Sequence, residues 1–356
     1  MKRKTVKTVL WSLLGLLLIL IVLFCMLFGP FVRAVVSVQK LDEGLYYMEY
    51  RGDDGFDELV ASGGVRDAQE LSAHIMRFLS KGFYRAPAAT PAAADYGCSA
   101  LTARTPEGGV LMGRNFDFND ATGVILHTLP KRGYETITTF NTDFFGFGEG
   151  WKPEGFTNQF MALSSLFCAL DGINEKGLAI ADLMAGDNEE THQDTGKMAL
   201  TTTTAICYLL KNAATVDEAI GLLRYIDMHS DIGAAHHYAI SDASGRSVVV
   251  EYVNQEMVVV ESAAVANHYL CAEKRNAGLI PGDHRYDQLC AHLAADSGIM
   301  DWQQMEKAIF SVSQPRQEDF LGTAWTMVMD LAHPSVTYYA RRHFEEPFYF
   351  PLKRRD

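Results

Sequence analysis

The chain has 356 residues, 48% of them hydrophobic and 21% charged, with a formal net charge of −13. That is enough apolar material to bury a sizeable core in one large domain or two modest ones. The acidic balance, with no basic stripe in the body, excludes nucleic acid as the expected partner, and it says little about a small-molecule substrate.

Lys2, Arg3, Lys4 and Lys7 precede an apolar run over residues 9–28, and no charge falls between Lys7 and Arg33. As a helix this run is ~30 Å long, enough to cross a bilayer. A cleavable signal peptide has a shorter apolar core of ~7–15 residues, and GPFVRA at 29–34 matches a small-residue cleavage site poorly. The expectation is an uncleaved membrane anchor with its basic tip in the cytoplasm and the body outside. Six cysteines are present, at 25, 98, 168, 207, 271 and 290. They form no C-x-x-C pair, so no zinc or redox motif is expected, and their wide spacing gives no disulfide framework.

After the anchor, GLYYMEYR at 44–51 reads as a strand, ended by GDDG. Residues 65–83 read as a helix with Leu71, Ile75, Phe78 and Leu79 on one stripe. An Ala/Pro-rich linker follows at 85–95 and leads to Gly97-Cys98. Residues 99–104 and 110–114 are β-prone, joined by a Pro-Glu-Gly-Gly turn, and predict a hairpin. Arg114 lies sixteen residues after Cys98 and Asp117 nineteen after. The hairpin therefore brings a thiol, a guanidinium and a carboxylate to one end of a sheet. In that arrangement Arg114 favours the thiolate and Asp117 orients a proton-bearing group. A buried packing cysteine beside a structural Arg–Asp pair is the rival reading.

Residues 136–141 read as a strand. An aromatic loop follows, with Phe144, Phe145, Phe147, Trp151 and Phe156, which suits an acyl pocket, a membrane contact or plain packing. DGINEKG at 171–177 reads as a hairpin turn with Gly177 at positive φ, and Asn174 and Glu175 as turn formers. Helices are expected at 201–211 and 216–225, the second capped by Thr215 with Glu218 at capping-box spacing. His229, His236 and His237 match no metal-site spacing, so no metal is assigned. Strands at 238–242, 247–253 and 257–261 form a meander that runs on to Asn267. A helix follows Arg285, another covers 301–311, and 323–331 with 336–340 closes the chain as a strand pair. Helix pairs beside many hairpins point to an α+β fold with helices layered on sheet.

GCS at 97–99, GRNFDF at 113–118 and DGINEKGL at 171–178 resemble the choloylglycine hydrolase family of linear-amide C–N hydrolases, in the N-terminal nucleophile (Ntn) superfamily. The resemblance runs from Gly97 to about Tyr339. It implies a four-layer α-β-β-α sandwich and autoproteolysis at Gly97-Cys98, after which the α-amine of Cys98 serves as base. It implies that Asn267 and the backbone N–H of Met184 hold the oxyanion, that Asp117 positions the α-amine, and that Arg114 and Arg285 tune charge around the sulfur. Bile salt hydrolases carry Asn where this chain has Met184, which argues against a bile-salt preference.

The implied organisation is an anchor over 1–34, a pro-segment and linker over 35–97, and a catalytic domain over 98–356. The implied substrate is a small N-acyl amide, with no cofactor and with oligomeric state left open. An acyltransferase, or a non-catalytic membrane-anchored binding protein on the same scaffold, are the alternatives.

Overall fold

A computed structural model describes residues 2–82, 97–118, 121–147, 150–186, 189–295, 297–317 and 322–353, with the side chains of residues 2–6 left aside. The linker expected at 85–95 lies outside the described residues. Helix α1 (Lys2–Ser37) is longer than the apolar run and continues through Pro30. A proline removes one intrahelical hydrogen bond, which favours a break there. Burial beyond it favours continuation: Phe31, Ala34 and Val35 are buried in the body, with the Phe31 ring against Tyr50, Phe78 and Phe160. Residues 7–37 contain a window with mean hydropathy 2.9 that is wholly exposed, so by length and composition the helix can cross a membrane.

Strands β1 (Gln39–Asp42) and β2 (Leu45–Gly52) follow, then the short helix α2 (Phe56–Ala61) and α3 (Ala68–Leu79). Asp67 caps α3 by accepting from the Glu70 N–H, and Leu71, Ile75, Phe78 and Leu79 are buried as their spacing predicts. The central hairpin is β3 (Gly97–Arg104) and β4 (Val110–Asp117), longer at its open end than its β-prone runs indicate. Next come β5 (Gly123–Pro130), β6 (Thr136–Asn141), helix α4 (Gly155–Met161), β7 (Asp171–Asn174) and β8 (Ala179–Met184). Asp171 to Asn174 is thus strand, and the turn is confined to the residues before Leu178. Gly177 has φ +86, and a Cβ there would lie 2.0 Å from the Leu331 carbonyl oxygen, so only glycine fits. Asn174 is a turn former: its Oδ1 accepts from the Lys176 and Leu178 N–H groups, and its Nδ2 donates to two carbonyls at the end of the next helix.

Strand β9 (Met198–Thr201), helices α5 (Thr202–Asn212) and α6 (Val216–Leu223), and β10 (Ile226–His229) come next; β9 and β10 form a parallel pair that periodicity did not reveal. Thr215 caps α6 as expected, but the Glu218 carboxylate accepts from Ala214 N–H rather than closing the box on Thr215. The meander is β11 (His236–Ser241), β12 (Ser247–Val253) and β13 (Glu256–Glu261), followed by β14 (Ala264–Val265). Helices α7 (Arg285–Ala295) and α8 (Trp302–Ser311) and strands β15 (Thr323–Asp330), β16 (Ser335–Ala340) and β17 (Phe348–Pro351) complete the order.

Among the described residues the two large sheets run β1-β2-β5-β6-β7-β8-β11-β12-β13 and β14-β3-β4-β15-β16-β17. They pack face to face and are tied by side-chain hydrogen bonds: Thr139 with Tyr338 (2.6 Å), Trp325 to Asp171 (2.9 Å) and Thr102 with Ser241 (2.8 Å). Helix α5 covers the outer face of the first sheet, and α7 and α8 cover the second. On that side Gly113 sits so close to Met305 and Ile309 that a Cβ would lie 2.9 Å from the Met305 sulfur. This is the α-β-β-α layering. Strand β2 lies inside the first sheet, paired in parallel with β5 from Leu45↔Gly123 to Gly52↔Pro130.

Candidate active site

The β3–β4 register pairs Gly97 with Asp117, Cys98 with Phe116 and Ala100 with Arg114. Opposed residues of an antiparallel pair share a face, and successive residues alternate. Cys98 and Arg114 therefore face the other sheet, while Gly97 and Asp117 face the helices. Arg114 is fully buried, and its Nη1 donates to Cys98 Sγ at 3.4 Å. Its Nε lies 2.7 Å from Asp171 Oδ2, and its Nη2 donates to the Asp182 carbonyl at 3.1 Å. A buried guanidinium needs such partners to offset its lost hydration. Asp171 and Asp182, from β7 and β8, supply them across the sandwich.

On the other face Arg285, at the start of α7, joins the remaining groups. Its Nη1 donates to Asp117 Oδ2 (2.9 Å) and to the Cys98 carbonyl (3.0 Å). Its Nη2 donates to Asn267 Oδ1 (2.9 Å) and Asp283 Oδ2 (2.7 Å). Thr323 Oγ1 donates to Asp117 Oδ1 at 2.6 Å. Gly97 fits tightly here: a Cβ would come within 3.2 Å of both Arg285 Nη1 and Asp117 Oδ2. Asn267 Oδ1 also accepts the Cys98 N–H at 2.7 Å, and Asn267 Nδ2 donates to the Met184 carbonyl at 2.8 Å. Two donors on Oδ1 and an acceptor on Nδ2 fix the orientation of this amide. One Nδ2 hydrogen is left over for a further acceptor.

All six residues singled out from the sequence thus meet at one end of the hairpin: Cys98, Arg114, Asp117, Met184, Asn267 and Arg285. Asp117 reaches Cys98 through Arg285, while the Cys98 nitrogen is bound by Asn267. Burial pushes the Cys98 thiol up to about 12, helped by Asp117 and Asp182 and opposed by Arg114. Burial thus favours the thiol over the thiolate in the intact chain. Burial also raises the Asp117 and Asp171 carboxyls, against the pull of Arg285 and Arg114 respectively. Asp283, half-buried, is raised by burial but lowered further by its bonds to Arg285, for a net fall.

Sequence reasoning missed Asp171, Asp182, Asp283 and Thr323. Asp283 two residues before Arg285 was the one local signal. The three histidines have separate partners. His236 Nδ1 lies 3.0 Å from both Asp182 carboxylate oxygens and its Nε2 2.9 Å from Ser230 Oγ. His237 bonds Glu251 and His229 bonds His192. In the aromatic loop, Phe144 packs on Phe118, Phe145 on Phe140 and Phe147, and Phe147 on Trp151, while Phe156 is 62% exposed.

Two facing sheets between helix layers, with a cysteine at the head of an inner strand, define the fold of the N-terminal nucleophile hydrolases. Residues 98–268, a little under half of the chain, match the linear amide C–N hydrolases, choloylglycine hydrolase family. Penicillin V acylase of Pectobacterium atrosepticum is 34% identical over 102 residues, 26% of this chain; the chain spans 27% of that relative's length. The structure of penicillin V acylase from Agrobacterium tumefaciens superposes with a TM-score of 0.52 at 18% identity, over 72% of this chain and 86% of that one. A variant of the conjugated bile acid hydrolase from Clostridium perfringens gives 0.51 at 16% identity, over 73% and 93%.

Proposed function

We propose that this chain is a membrane-anchored amidase that cleaves itself at Gly97-Cys98 and then hydrolyses a linear, non-peptide C–N amide of a small N-acyl compound. The observation that carries the reading is the double clamp on Cys98: Arg114 Nη1 on its sulfur, and Arg285 joining its carbonyl to Asp117 and Asn267.

In self-cleavage Cys98 Sγ attacks the Gly97 carbonyl, the peptide nitrogen leaves with a proton as the new α-amine, and water hydrolyses the thioester. The freed amine has an ordinary pKa of ~7.7–8.0, so it supplies the base that the intact chain lacks. In turnover the amine takes the thiol proton while Sγ attacks the substrate carbonyl. The remaining Nδ2 hydrogen of Asn267 and the Met184 backbone N–H stabilise the oxyanion, an effect worth ~3 kcal/mol per donor. The ammonium then protonates the leaving nitrogen, and water attacks the acyl-thioester with the amine again as base. Arg114 holds negative charge on sulfur, and Asp117 with Asn267 positions the amine.

The anchor reading rests on the apolar exposed length of α1, with the basic tip cytoplasmic and the body outside. The pairing of β2 with β5 supports a mature protein in which residues 1–97 stay joined to the rest after cleavage. The test is a panel of N-acyl amino acids, N-acyl amines and phenoxyacetyl amides, assayed with and without acceptor amines. Amine release by the mature protein and none by Cys98→Ala is expected. Equal turnover by both proteins would reject the mechanism, and acyl transfer to the added amine in place of hydrolysis would make the enzyme an acyltransferase.

A further inference from the structure

A cavity of about 840 Å³ opens beside α1 where the helix meets the body, with Leu27 on its wall. It lies apart from Cys98, and the proposed reaction makes no use of it. Its walls carry charges of both signs, most of them already matched. Lys211 Nζ is 2.6 Å from Asp54, Arg132 3.3 Å from Asp57, and Arg77 3.9 Å from Glu58. Two cations remain. Lys81 and Lys131 line the cavity and make no ion pair among the described residues. The Lys81 ammonium rests over the rings of Phe31 and Phe78, 4.4 and 4.3 Å from their centroids. These rings hold the ammonium at the cavity wall. Asp53 also lines the cavity and has no ion pair among the described residues, its Oδ1 accepting only the Gly55 N–H.

The height of these groups follows from the helix. Val9 to Leu27 are apolar and largely exposed, about 28 Å at the helical rise, close to the ~30 Å of a bilayer's hydrocarbon core. Phe31 lies one turn further on, about 6 Å beyond Leu27. Lys81 above it therefore stands at the level of the lipid phosphates, whose negative charge attracts an ammonium. We propose that this cavity is a lipid headgroup site, with the phosphate held by Lys81 and Lys131. Asp53 is then available to a hydroxyl or ammonium beyond the phosphate. Such a site would fix the tilt of the body on the membrane as well as its attachment.

The proposal rests on the anchor reading, which alkaline carbonate extraction tests separately: a chain released by carbonate refutes the anchor. The site itself is tested on the full-length protein in mild detergent, by native mass spectrometry with phosphatidylglycerol, dioleoylglycerol and inorganic phosphate as probes. One phosphatidylglycerol retained per chain is expected, with at least about tenfold weaker retention in the Lys81→Gln, Lys131→Gln double variant at an unchanged melting temperature. Single variants are measured if the double variant fails to fold. Retention of dioleoylglycerol equal to phosphatidylglycerol, or retention unaffected by the substitutions, overturns the site. Competition by inorganic phosphate at concentrations equal to the lipid's would keep the phosphate site but overturn its membrane source.

Discussion

The β3–β4 hairpin that carries Cys98 and the segment before it, residues 31–82, are both buried in the body of the protein, but they are held in different ways. The hairpin end is held by charge. Arg114 and Arg285 are buried cations, each with carboxylates at hydrogen-bond distance. The upstream segment is held by backbone pairing and apolar contact: β2 along β5, and Phe31, Met48, Tyr50 and Phe78 in the core. Buried ion pairs add little net stability but are costly to break, because a lone charge is left without water. Apolar burial adds stability in proportion to area and fails gradually. The hairpin is thus built for geometry and the upstream segment for adhesion. That is the division required if the chain is cut between them and must then stay together.

The largest effect is expected at the sulfur. Cys98→Ala should leave the chain uncleaved and lower amide hydrolysis by at least about a thousandfold, since among the described residues no second thiol joins the Arg114–Arg285 cluster to form the thioester. Gel electrophoresis and a substrate assay read both. Next is Asp171→Ala, which strands the Arg114 guanidinium and should cost about 3–5 kcal/mol in urea unfolding. A loss below about 1 kcal/mol would contradict the charge-held description of the hairpin. For the other region, Met48→Ala opens a cavity under β2 and should cost about 2–5 kcal/mol. After cleavage it should let the upstream piece separate in gel filtration at urea concentrations where the wild-type pieces co-elute.

The smallest effect is a pH dependence that belongs to neither region. Burial alone would lower the pKa of His236, but the Asp182 carboxylate outweighs it and the net shift is upward. The folded state therefore holds this proton more tightly than the unfolded chain, whose His titrates near ~6.5. The contribution is fully present below that pH and is lost as pH rises through the higher folded value. His236→Gln should flatten the fall in stability above neutral pH, as read from melting temperatures across that window. An unchanged profile would remove His236 as its source.

What the sequence disclosed follows the same physical division. Cys98, Arg114 and Asp117 were legible because one hairpin fixes their spacing, so chain distance translates directly into space. Asn267 and Arg285 lie far along the chain, and only the family resemblance brought them in. Asp171 was hidden by its own context, since Asp-Gly followed by Asn reads as a turn, and its partner Arg114 is 57 residues away. Thr323 and Asp182 bear no local mark: Thr323 meets Asp117 only when β15 pairs with β4, and Asp182 meets Arg114 only when the two sheets are stacked. Strand β5 was overlooked although it forms a hairpin with β6, and with it the place of β2, whose parallel pairing with β5 has no turn to announce it. The extension of α1 past Pro30 was missed for a related reason: the local cost of a proline is visible in the chain, and the tertiary burial of Phe31 is not.

The central claim is that Cys98 becomes the first residue of the working enzyme. The most direct measurement is the intact mass and N-terminal residue of the protein purified from cells that express the full chain, made on the same sample that is assayed. The account predicts two pieces that travel together, one ending at Gly97 and the other beginning at Cys98, with amide hydrolysis present. An uncut chain that hydrolyses amides at the same rate would contradict it, because the proposed base would then not exist.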